Sequence, residues 1–439
     1  MTSLTAKKSG SLEGTIKVPG DKSISHRAIM FGGLAIGETM ISGLLEGEDV
    51  LCTAEAMRAM GASVEKCSDG LWRIFGVGLH GLKDPSHDLD MGNSGTSTRL
   101  LMGLMGGAGV TATFTGDASL SKRPMKRVMT PLELMGITFE ATDGGKLPLT
   151  VKGTEDVVAI EYKLPVASAQ VKSAILLAGL NARGTTSVIE EHPTRDHTEN
   201  MLRHFGLNVK VEDLEHGAQR VSITGGKDLE GCAVDVPGDP SSAAFPVIAA
   251  LINKGSAIQI SRMGMNARRI GVYETLQEMG ADITFEHRRV EAGEPVAHLI
   301  ARASELKGID VPASRVPSMI DEIPILAVAA SCATGTTKLT GLAELRVKES
   351  DRLAMMYEGL KACGVNCEMG EESLTIHGTG KPPKGGATVR TALDHRIAMS
   401  FLVLGTVTDE PVTVDDGDPI KTSFPNFVEL MDDLGADIT

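Results

Sequence analysis

Residues 276–283 read LQEMGADI, and this short segment sets the pattern of the whole chain. Its apolar residues follow helical spacing up to a glycine, and apolar and polar residues alternate after that glycine. This order is typical of an amphipathic helix that ends at a left-handed glycine and continues into a strand. Five further copies share it: MRAMGASV (57–64), LELMGITF (132–139), LRHFGLNV (202–209), LKACGVNC (360–367) and MDDLGADI (431–438).

The glycines of the six copies are separated by 75, 70, 74, 84 and 71 residues. Before each copy lies a loop of small or charged residues, an apolar stretch of helical length, and a glycine-containing turn into a Thr/Val/Ile-rich strand. A helix that is apolar on all sides is a buried helix. These segments begin DKSIS (21), NSGTS (93), SAQVK (168), DPSSA (239), SMIDE (318) and DHRIA (394). The sequence therefore predicts six units of about 75 residues, each with a buried helix, an amphipathic helix and several strands.

The tetrapeptide VPGD occurs twice, at 18–21 and 236–239. Three of the six copies lie between the two occurrences and three follow the second. This placement predicts two pseudo-symmetric domains of three units each, residues 21–235 and residues 1–20 plus 236–439. The alternative that VPGD is an ordinary turn recurring by chance stays open.

Composition limits the class of protein. The 439 residues are 42% hydrophobic and 23% charged, which excludes wholesale disorder. A net charge of −14 and 3% aromatic residues disfavour binding to nucleic acid or to an anionic membrane. The N-terminal MTSLTAKKSG has no apolar core like that of a signal peptide, no apolar run approaches a membrane span, and the six cysteines form no CxxC pair. We therefore expect a soluble cytoplasmic protein with reduced thiols.

The loops before the apolar stretches carry side chains that suit anions. A helix N-terminus offers unpaired amides and the positive end of the helix dipole, so several of them directed at one place would bind a strongly anionic ligand. The matching side chains are Lys22, Ser23, Arg27, Asn93, Gly95, Thr96, Ser168, Gln170, Asp321, Lys348, Glu349, Arg352 and Arg396. Taken alone, residues 348–352 also fit a solvated, charged start of a helix.

Eight motifs resemble the successive signatures of the 5-enolpyruvylshikimate-3-phosphate (EPSP) synthase family. They are PGDKSISHRA (19–28), NSGTSTR (93–99), GDASLSKRPM (116–125), ASAQVKSAILLAGL (167–180), TRDHTE (194–199), IDEIPILAVAA (320–330), LRVKESDR (345–352) and LDHRIAMSF (393–401). The resemblance covers essentially the whole chain in the family's order. It implies an α/β (α+β) fold of two domains, each with three βαβαββ units in an inverse-zinc-finger-like prism, and an active site in the interdomain cleft.

The resemblance also implies a reaction. The enolpyruvyl group of phosphoenolpyruvate would be transferred to the 5-hydroxyl of shikimate 3-phosphate, with release of phosphate, in the shikimate pathway to chorismate and the aromatic amino acids. Addition and elimination through a tetrahedral intermediate require protons to move at the methylene carbon and at the hydroxyl. The expected catalytic residues are Asp321 as base at the hydroxyl, Glu349 as proton donor and acceptor at the methylene carbon, and Lys22. We expect no cofactor, no metal, a monomer, and glyphosate as an inhibitor.

The same resemblance assigns binding residues. Those expected for shikimate 3-phosphate are Lys22, Ser23, Arg27, Ser168, Gln170, Arg195, Asp321 and Lys348. Those expected for phosphoenolpyruvate are Lys22, Gly95, Arg123, Gln170, Arg352 and Arg396. Arginine matches carboxylate and phosphate bidentately, and glycine allows a ligand close to the backbone. Further candidates are Asn93, Asp49 as an orienting group, and Lys421, which precedes the C-terminal Ser-Phe-Pro with a spacing that differs by one residue from that of some family members.

Two rival functions stay open at this point. The sister enolpyruvyl transferase that acts on UDP-N-acetylglucosamine shares the six-unit architecture, but it typically has a reactive cysteine before an Arg-Pro. The corresponding stretch here, GDASLSKRP (116–124), has no cysteine. The other rival is a non-catalytic scaffold built on the same repeats.

Overall fold

Twelve α-helices alternate with short strands in the computed structural model, which describes residues 2–439. The helices are α1 (Lys22–Leu34), α2 (Glu48–Ala59), α3 (Gly95–Gly107), α4 (Lys126–Leu134), α5 (Ala169–Gly179), α6 (His197–His204), α7 (Pro240–Ile252), α8 (Gly271–Glu278), α9 (Ile323–Cys332), α10 (Arg352–Ala362), α11 (His395–Gly405) and α12 (Phe427–Asp433). The odd-numbered helices are the six apolar stretches, and the even-numbered helices are the six amphipathic copies. None of these described helices has the length and apolarity needed to cross a membrane.

The odd-numbered helices are buried, as the sequence predicts. In α7, every residue from Pro240 to Leu251 is buried, because a helix without a polar face gains nothing from contact with water. Five of these six helices begin at a side-chain cap that accepts a hydrogen bond from an amide of the first turn. The capping residues are Asp21, Ser94, Ser168, Asp239 and Asp394.

The even-numbered helices end as predicted. Two residues after each of them stands the glycine of the repeat, and all six glycines have positive φ, the conformation that side chains disfavour. The φ angles are 104° at Gly61, 94° at Gly136, 86° at Gly206, 94° at Gly280, 85° at Gly364 and 102° at Gly435. The left-handed turn at each glycine leads the chain from the helix into the next strand.

The strands are short. They are β1 (Leu4–Lys7), β2 (Glu13–Ile16), β3 (Ala35–Ile36), β4 (Glu38–Ser42), β5 (Ser63–Lys66), β6 (Trp72–Phe75), β7 (Leu89–Asp90), β8 (Thr111–Thr115), β9 (Thr138–Thr142), β10 (Lys146–Lys152), β11 (Glu161–Lys163), β12 (Thr185–Glu190), β13 (Val209–Asp213), β14 (Gln219–Thr224), β15 (Leu229–Glu230), β16 (Ala233–Asp235), β17 (Ala257–Gly264), β18 (Asp282–Glu291), β19 (Glu294–Arg302), β20 (Asp310–Val311), β21 (Thr334–Thr340), β22 (Asn366–Met369), β23 (Ser373–Thr379), β24 (Thr388–Val389), β25 (Val412–Val414) and β26 (Asp437–Ile438).

Six four-stranded sheets share one strand order. In the sheet β7-β8-β10-β9, β7 runs parallel to β8, while β10 pairs antiparallel with both β8 and β9. The corresponding sheets are β16-β4-β6-β5, β11-β12-β14-β13, β2-β17-β19-β18, β20-β21-β23-β22 and β24-β25-β1-β26. Each sheet with its two helices makes one βαβαββ unit, which confirms the predicted fold class.

The chain divides into two compact units. The N-unit comprises Gly20–Val236 and Glu291–Glu294, and the C-unit comprises 2–19, Pro237–Val290 and 295–439. Each unit contains three of the six sheets and has its own hydrophobic core. Strands β1 and β2, from the start of the chain, complete two sheets of the C-unit, where Leu4 pairs with Val414 and Ile16 pairs with Ile260. The chain passes between the units within both VPGD sequences.

Close helix packing holds the N-unit core together. Helices α3 and α5 approach so closely that a β-carbon at Gly103 would lie 2.1 Å from the carbonyl oxygen of Ala174. Backbone atoms of a buried helix cannot move aside cheaply, since protein cores are close-packed. A glycine is therefore required at this crossing.

We expect Gly103→Ala to lower the free energy of unfolding by about 1–3 kcal/mol, the usual effect of overpacking a core. Denaturant unfolding would measure it. The control is Gly10→Ala, because Gly10 is exposed, has no positive φ and has no atom within 4 Å of the position its β-carbon would take. Equal stability of the two variants would contradict the close packing of α3 on α5.

Candidate active site

Lys22 opens α1, and Asp49 lies in the first turn of α2. The Lys22 ammonium donates a hydrogen bond to the Asp49 carboxylate, and the two side chains are only 19% and 6% exposed. An ion pair so poorly hydrated is screened less than a surface pair. Asp49 thus holds the ammonium of Lys22 at the start of α1.

Arg27 lies one turn further along α1 and is buried. Its Nη1 donates to the carbonyl oxygen of Ser23 at 2.9 Å, its Nε donates to Oγ1 of Thr198 at 2.7 Å, and its Nη2 donates to Oγ of Ser173 at 2.9 Å. Burial lowers the pKa of Arg27 to about 10, and the nearby charge of Arg195 acts in the same direction. The guanidinium therefore remains charged at neutral pH.

A second cation, Arg123, is fixed by the loop before α3. Its Nη2 donates to Oδ1 of Asn93 at 2.5 Å and to Oγ of Ser119 at 3.1 Å. Asn93 is held in turn, because its Nδ2 donates to Oδ2 of Asp117 at 2.6 Å. The predicted residues Asn93 and Arg123 are therefore in direct contact.

Gly95 is the first residue of α3, and two arginines approach it. A β-carbon at this position would lie 3.1 Å from Nη1 of Arg99 and 3.2 Å from Nη1 of Arg123. Nη1 of Arg99 donates to Oε1 of Gln170 at 2.7 Å, and Nε2 of Gln170 donates to Oγ1 of Thr96 at 3.1 Å. Gly95, Arg123 and Gln170, three of the predicted residues, therefore belong to one cluster.

Ser168 and Arg195 complete the predicted set in the N-unit. Oγ of Ser168 accepts a hydrogen bond from the amide of Val171 at 3.4 Å, so the hydroxyl caps α5. Arg195 lies in the loop before α6, close enough to Arg27 for their charges to interact. The candidate site residues of the N-unit, together with Arg99, therefore provide five cations, which we call the N-unit cations: Lys22, Arg27, Arg99, Arg123 and Arg195.

His26 connects the N-terminal halves of three helices. Its Nδ1 lies 2.7 Å from Oγ1 of Thr53 in α2 and 3.2 Å from Oγ of Ser97 in α3, and these two hydroxyls are 2.6 Å apart. Burial, together with the charges of Lys22 and Arg27, holds the pKa of His26 well below its ordinary value of 6.5. The imidazole is therefore neutral in the folded protein.

In the C-unit, Arg352 gathers three carboxylates. This fully buried guanidinium binds Asp394 through Nε at 2.8 Å, Asp321 through Nη1 at 3.2 Å and Glu349 through Nη2 at 2.5 Å. Burial alone would lower the pKa of Arg352, but the charges of Asp394, Glu349 and Asp321 raise it above its ordinary value. The two carboxylates predicted to move protons, Asp321 and Glu349, thus share one guanidinium.

Two further cations lie beside Asp321. Nζ of Lys348 is 3.4 Å from Oδ1 of Asp321. Nη1 of Arg396, at the start of α11, donates to the carbonyl oxygen of Asp321 at 3.1 Å and lies 3.7 Å from Oε1 of Glu322. The predicted residues Asp321, Lys348, Glu349, Arg352 and Arg396 are therefore brought together.

Three residues of these clusters were missed by the sequence analysis. Arg99 closes the motif NSGTSTR four residues after Gly95, a spacing that places both on one face of a helix. Glu322 adjoins Asp321, is fully buried and accepts a hydrogen bond from the hydroxyl of Ser241. Asp394 caps α11 within the motif LDHR. All three lie inside motifs that resemble the family's signatures, so their position in these motifs could have identified them.

Lys421 lies apart from these contacts. Its side chain is exposed and lines a pocket of about 590 Å³ beside Thr2, Leu4 and the start of α12. Of the predicted site residues that the structure describes, none except Lys421 lines this pocket. A role for Lys421 stays a prediction.

The described residues contain no cluster of potential metal ligands. Within 2–439, no cluster of three or more His, Cys, Asp or Glu side chains could hold a metal ion. Glu199, which the sequence places near His192 and His197, is paired with Lys172 at 2.6 Å.

Comparison with known protein families shows which family has this arrangement. The family model described as EPSP synthase (3-phosphoshikimate 1-carboxyvinyltransferase) matches residues 6–431. The chain belongs to the EPSP synthase family. Two relatives named 3-phosphoshikimate 1-carboxyvinyltransferase support this: one from Paramagnetospirillum magneticum, 60% identical over 99% of this chain and 98% of the relative, and one from Parvibaculum lavamentivorans, 58% identical over 99% and 96%. As a member of this family, the chain is a transferase.

Solved structures agree with the family assignment. An EPSP synthase from Acinetobacter baumannii is 46% identical, covers 100% of both chains and superposes with a TM-score of 0.88. The enolpyruvyl transferase NikO from Streptomyces tendae covers 100% of this chain and 98% of its own with a TM-score of 0.76. At 18% identity, NikO supports the fold alone.

The lowered pKa of His26 predicts a pH dependence of stability. Below its ordinary value of 6.5, an unfolded chain binds a proton at His26 that the folded protein does not, so stability present at neutral pH is lost as the pH falls. We expect wild type to lose up to about 1.4 kcal/mol per pH unit more than His26→Asn below that pH. Denaturant unfolding at pH 7 and pH 5.5 would measure the difference. Parallel pH profiles for the two proteins would contradict a neutral, buried His26.

Proposed function

We propose that this member of the EPSP synthase family transfers the enolpyruvyl group of phosphoenolpyruvate to the 5-hydroxyl of shikimate 3-phosphate. The observation that carries the proposal is the contact of Asp321 and Glu349 with the single guanidinium of Arg352. The reaction needs one group that accepts a proton from the hydroxyl and another that delivers a proton to the methylene carbon. Two carboxylates held side by side can supply both.

Asp321 is suited to the role of base. Arg352 and Lys348 both contact its Oδ1, and nearby positive charges favour the ionised form of a carboxylate. An ionised Asp321 can accept the proton of the attacking hydroxyl.

Glu349 is suited to deliver and recover the other proton. Its carboxylate contacts Arg352, which also binds two other carboxylates. A phosphate or carboxylate of the substrate that bound near Arg352 would offset the charge of this guanidinium and weaken its hold on the Glu349 carboxylate. Arrival of the anionic donor would thus favour the protonated form of Glu349 that the addition step needs. In the elimination step the resulting carboxylate takes a proton back.

The N-unit cations are suited to bind the two anionic substrates. A phosphate monoester carries about −1.5 to −2 charges at pH 7 and is recognised well by arginine. Arg27, with Ser168 and Arg195, offers such a site, while Arg123 and the absence of a side chain at Gly95 suit the donor. Because proton transfer needs the C-unit carboxylates as well, we propose that both clusters act on the same pair of substrates. The interdomain cleft implied by the resemblance stays a prediction.

The remaining expectations about partners belong to the same proposal. One chain carries both clusters, so a monomer is sufficient for the reaction. All six cysteines are free thiols, in keeping with a reducing compartment such as the cytoplasm. We propose glyphosate as a ligand of the donor site. The alternative acceptor is UDP-N-acetylglucosamine.

A coupled phosphate-release assay with each acceptor tests the function. We expect turnover with shikimate 3-phosphate and none with UDP-N-acetylglucosamine. Asp321→Asn and Glu349→Gln are each expected to lose at least about 100-fold in kcat, since each removes a group that moves a proton.

The matched control is Glu371→Gln, an exposed carboxylate in the turn before β23, which should retain full activity. Turnover with the nucleotide sugar alone would replace the proposed function with that of the sister transferase. Undiminished activity of both carboxylate variants would exclude the proposed acid–base pair.

Gly95→Ala is expected to weaken inhibition by glyphosate. The new methyl group would lie 3.1–3.2 Å from the guanidinium nitrogens of Arg99 and Arg123, so it fills the space over Gly95 and displaces these cations. Inhibition of wild type should be competitive with phosphoenolpyruvate, and the inhibition constant should rise in the variant. An inhibition constant that does not change would refute the steric account of Gly95.

A further inference from the structure

A buried cluster of three charged side chains lies behind the N-unit cations. Nζ of Lys172 contacts Oε2 of Glu190 at 2.8 Å and Oε1 of Glu199 at 2.6 Å, and all three residues are 1% exposed. Burial of each charge costs several kcal/mol of solvation, and charged residues are almost never fully buried without partners. Glu199 Oε2 is buried and has no hydrogen-bond partner among the described residues, so Lys172 is the main compensation for this carboxylate.

Each member of the triad Lys172–Glu190–Glu199 is linked, along the chain or through hydrogen bonds, to a candidate ligand of shikimate 3-phosphate. Lys172 lies in the first turn of α5, two residues after Gln170 and four after Ser168. Glu190 ends β12 and accepts a hydrogen bond from the amide of Thr194 at 3.2 Å, as well as one from the Thr194 hydroxyl. Thr194 immediately precedes Arg195.

Glu199 connects the triad to Arg27. It follows Thr198 in α6, and Oγ1 of Thr198 accepts a hydrogen bond from Nε of Arg27 at 2.7 Å. On the other side, Ser173 follows Lys172 in α5, accepts from Nη2 of Arg27 at 2.9 Å and lies 2.7 Å from the Thr198 hydroxyl. The ion pair between Lys172 and Glu199 therefore clamps together the two helices whose hydroxyls hold the guanidinium.

We propose that the buried triad Lys172–Glu190–Glu199 is a positioning device for the acceptor phosphate: it holds Arg27, Ser168 and Arg195 where they bind shikimate 3-phosphate. This inference rests on the proposed function and extends it to residues that do not touch substrate themselves. Its specific consequence is selectivity between the two substrates. Loss of the triad should weaken binding of the acceptor, while the donor cluster of Arg123 and Asn93, held by separate contacts, should keep its affinity.

The charges of the triad support the same role. One lysine and two glutamates leave a formal charge of −1 beside Arg27 and Arg195, whose charges repel each other. Burial lowers the pKa of Arg27, and the charge of Glu199 is foremost among the groups that oppose this effect. Burial also raises the pKa of Glu199, and Lys172 counteracts it. The pKa of Glu199 remains above its ordinary value, but Lys172 favours the ionised form, and the charge of Glu199 in turn favours the charged form of Arg27.

Two variants test the proposal in the full-length protein. Lys172→Met removes the central charge with little change in volume, and Glu199→Gln keeps the shape and hydrogen-bonding capacity of the side chain while removing its charge. Titration calorimetry with shikimate 3-phosphate would give its Kd, and steady-state kinetics would give KM for each substrate and kcat. We expect Kd and KM for shikimate 3-phosphate to rise about 10- to 100-fold, the loss of one charged hydrogen bond, and KM for phosphoenolpyruvate to change less than about twofold.

The matched control is Ile175→Val, which removes one buried methylene from the same helix without changing a charge. It should lower the melting temperature and leave both KM values unchanged. If Lys172→Met does not fold, Glu199→Gln decides the question. A folded triad variant with unchanged acceptor affinity, or with equal losses for both substrates, would overturn the positioning role. Wild-type protein that binds no shikimate 3-phosphate would overturn the proposed function itself, together with this inference.

Discussion

The proposed acid–base chemistry depends on the burial of one guanidinium among three carboxylates. Arg352 is 1% exposed and binds Asp394, Asp321 and Glu349 at once. A cation removed from water is stable only when ion pairs and hydrogen bonds replace its hydration. The same contacts hold Asp321 at Nη1 and Glu349 at Nη2 of the planar guanidinium. Removing a single partner would leave a buried charge uncompensated. The same ion pairs therefore stabilise this region and fix the positions of Asp321 and Glu349.

The two units use the same repeat for opposite chemistry. In the N-unit the buried helices begin near lysine and arginine side chains; α1 is capped by Asp21, whereas the caps of α3 and α5, Ser94 and Ser168, are neutral. In the C-unit the loops before α9 and α11 bring Asp321, Glu322 and Asp394 to the helix starts, with cations paired to them. The backbone supplies equivalent helix N-termini in both units, while the side chains differ in proposed role: anion binding in the N-unit and proton transfer in the C-unit.

Local rules account for the part of the structure that the sequence predicted. A left-handed glycine after each amphipathic helix and an apolar helix before each strand depend on residues within one turn, so Gly61 or α7 could be identified without knowledge of the fold. Arg99 was missed because its partner, Gln170, is 71 residues away, and Glu322 was missed because its partner, Ser241, is 81 residues away. Such pairings depend on how helices from different repeats pack. Family resemblance recovers the candidate substrate-binding residues more readily than the residues that hold them in place.

Lys172 is a residue whose role is visible only in the structure. It interrupts α5, whose other residues from Val171 to Gly179 are small, hydroxyl-bearing or apolar, and the equivalent helix α7 contains no charged residue at all. A lysine that must be buried requires carboxylates within reach, and Glu190 and Glu199 lie on a strand and a helix that follow later in the chain. An apolar side chain at position 172 would satisfy the core at a lower solvation cost. The neighbouring requirement to hold Arg27 and Arg195, two like charges, supplies the reason for a net negative group at this place.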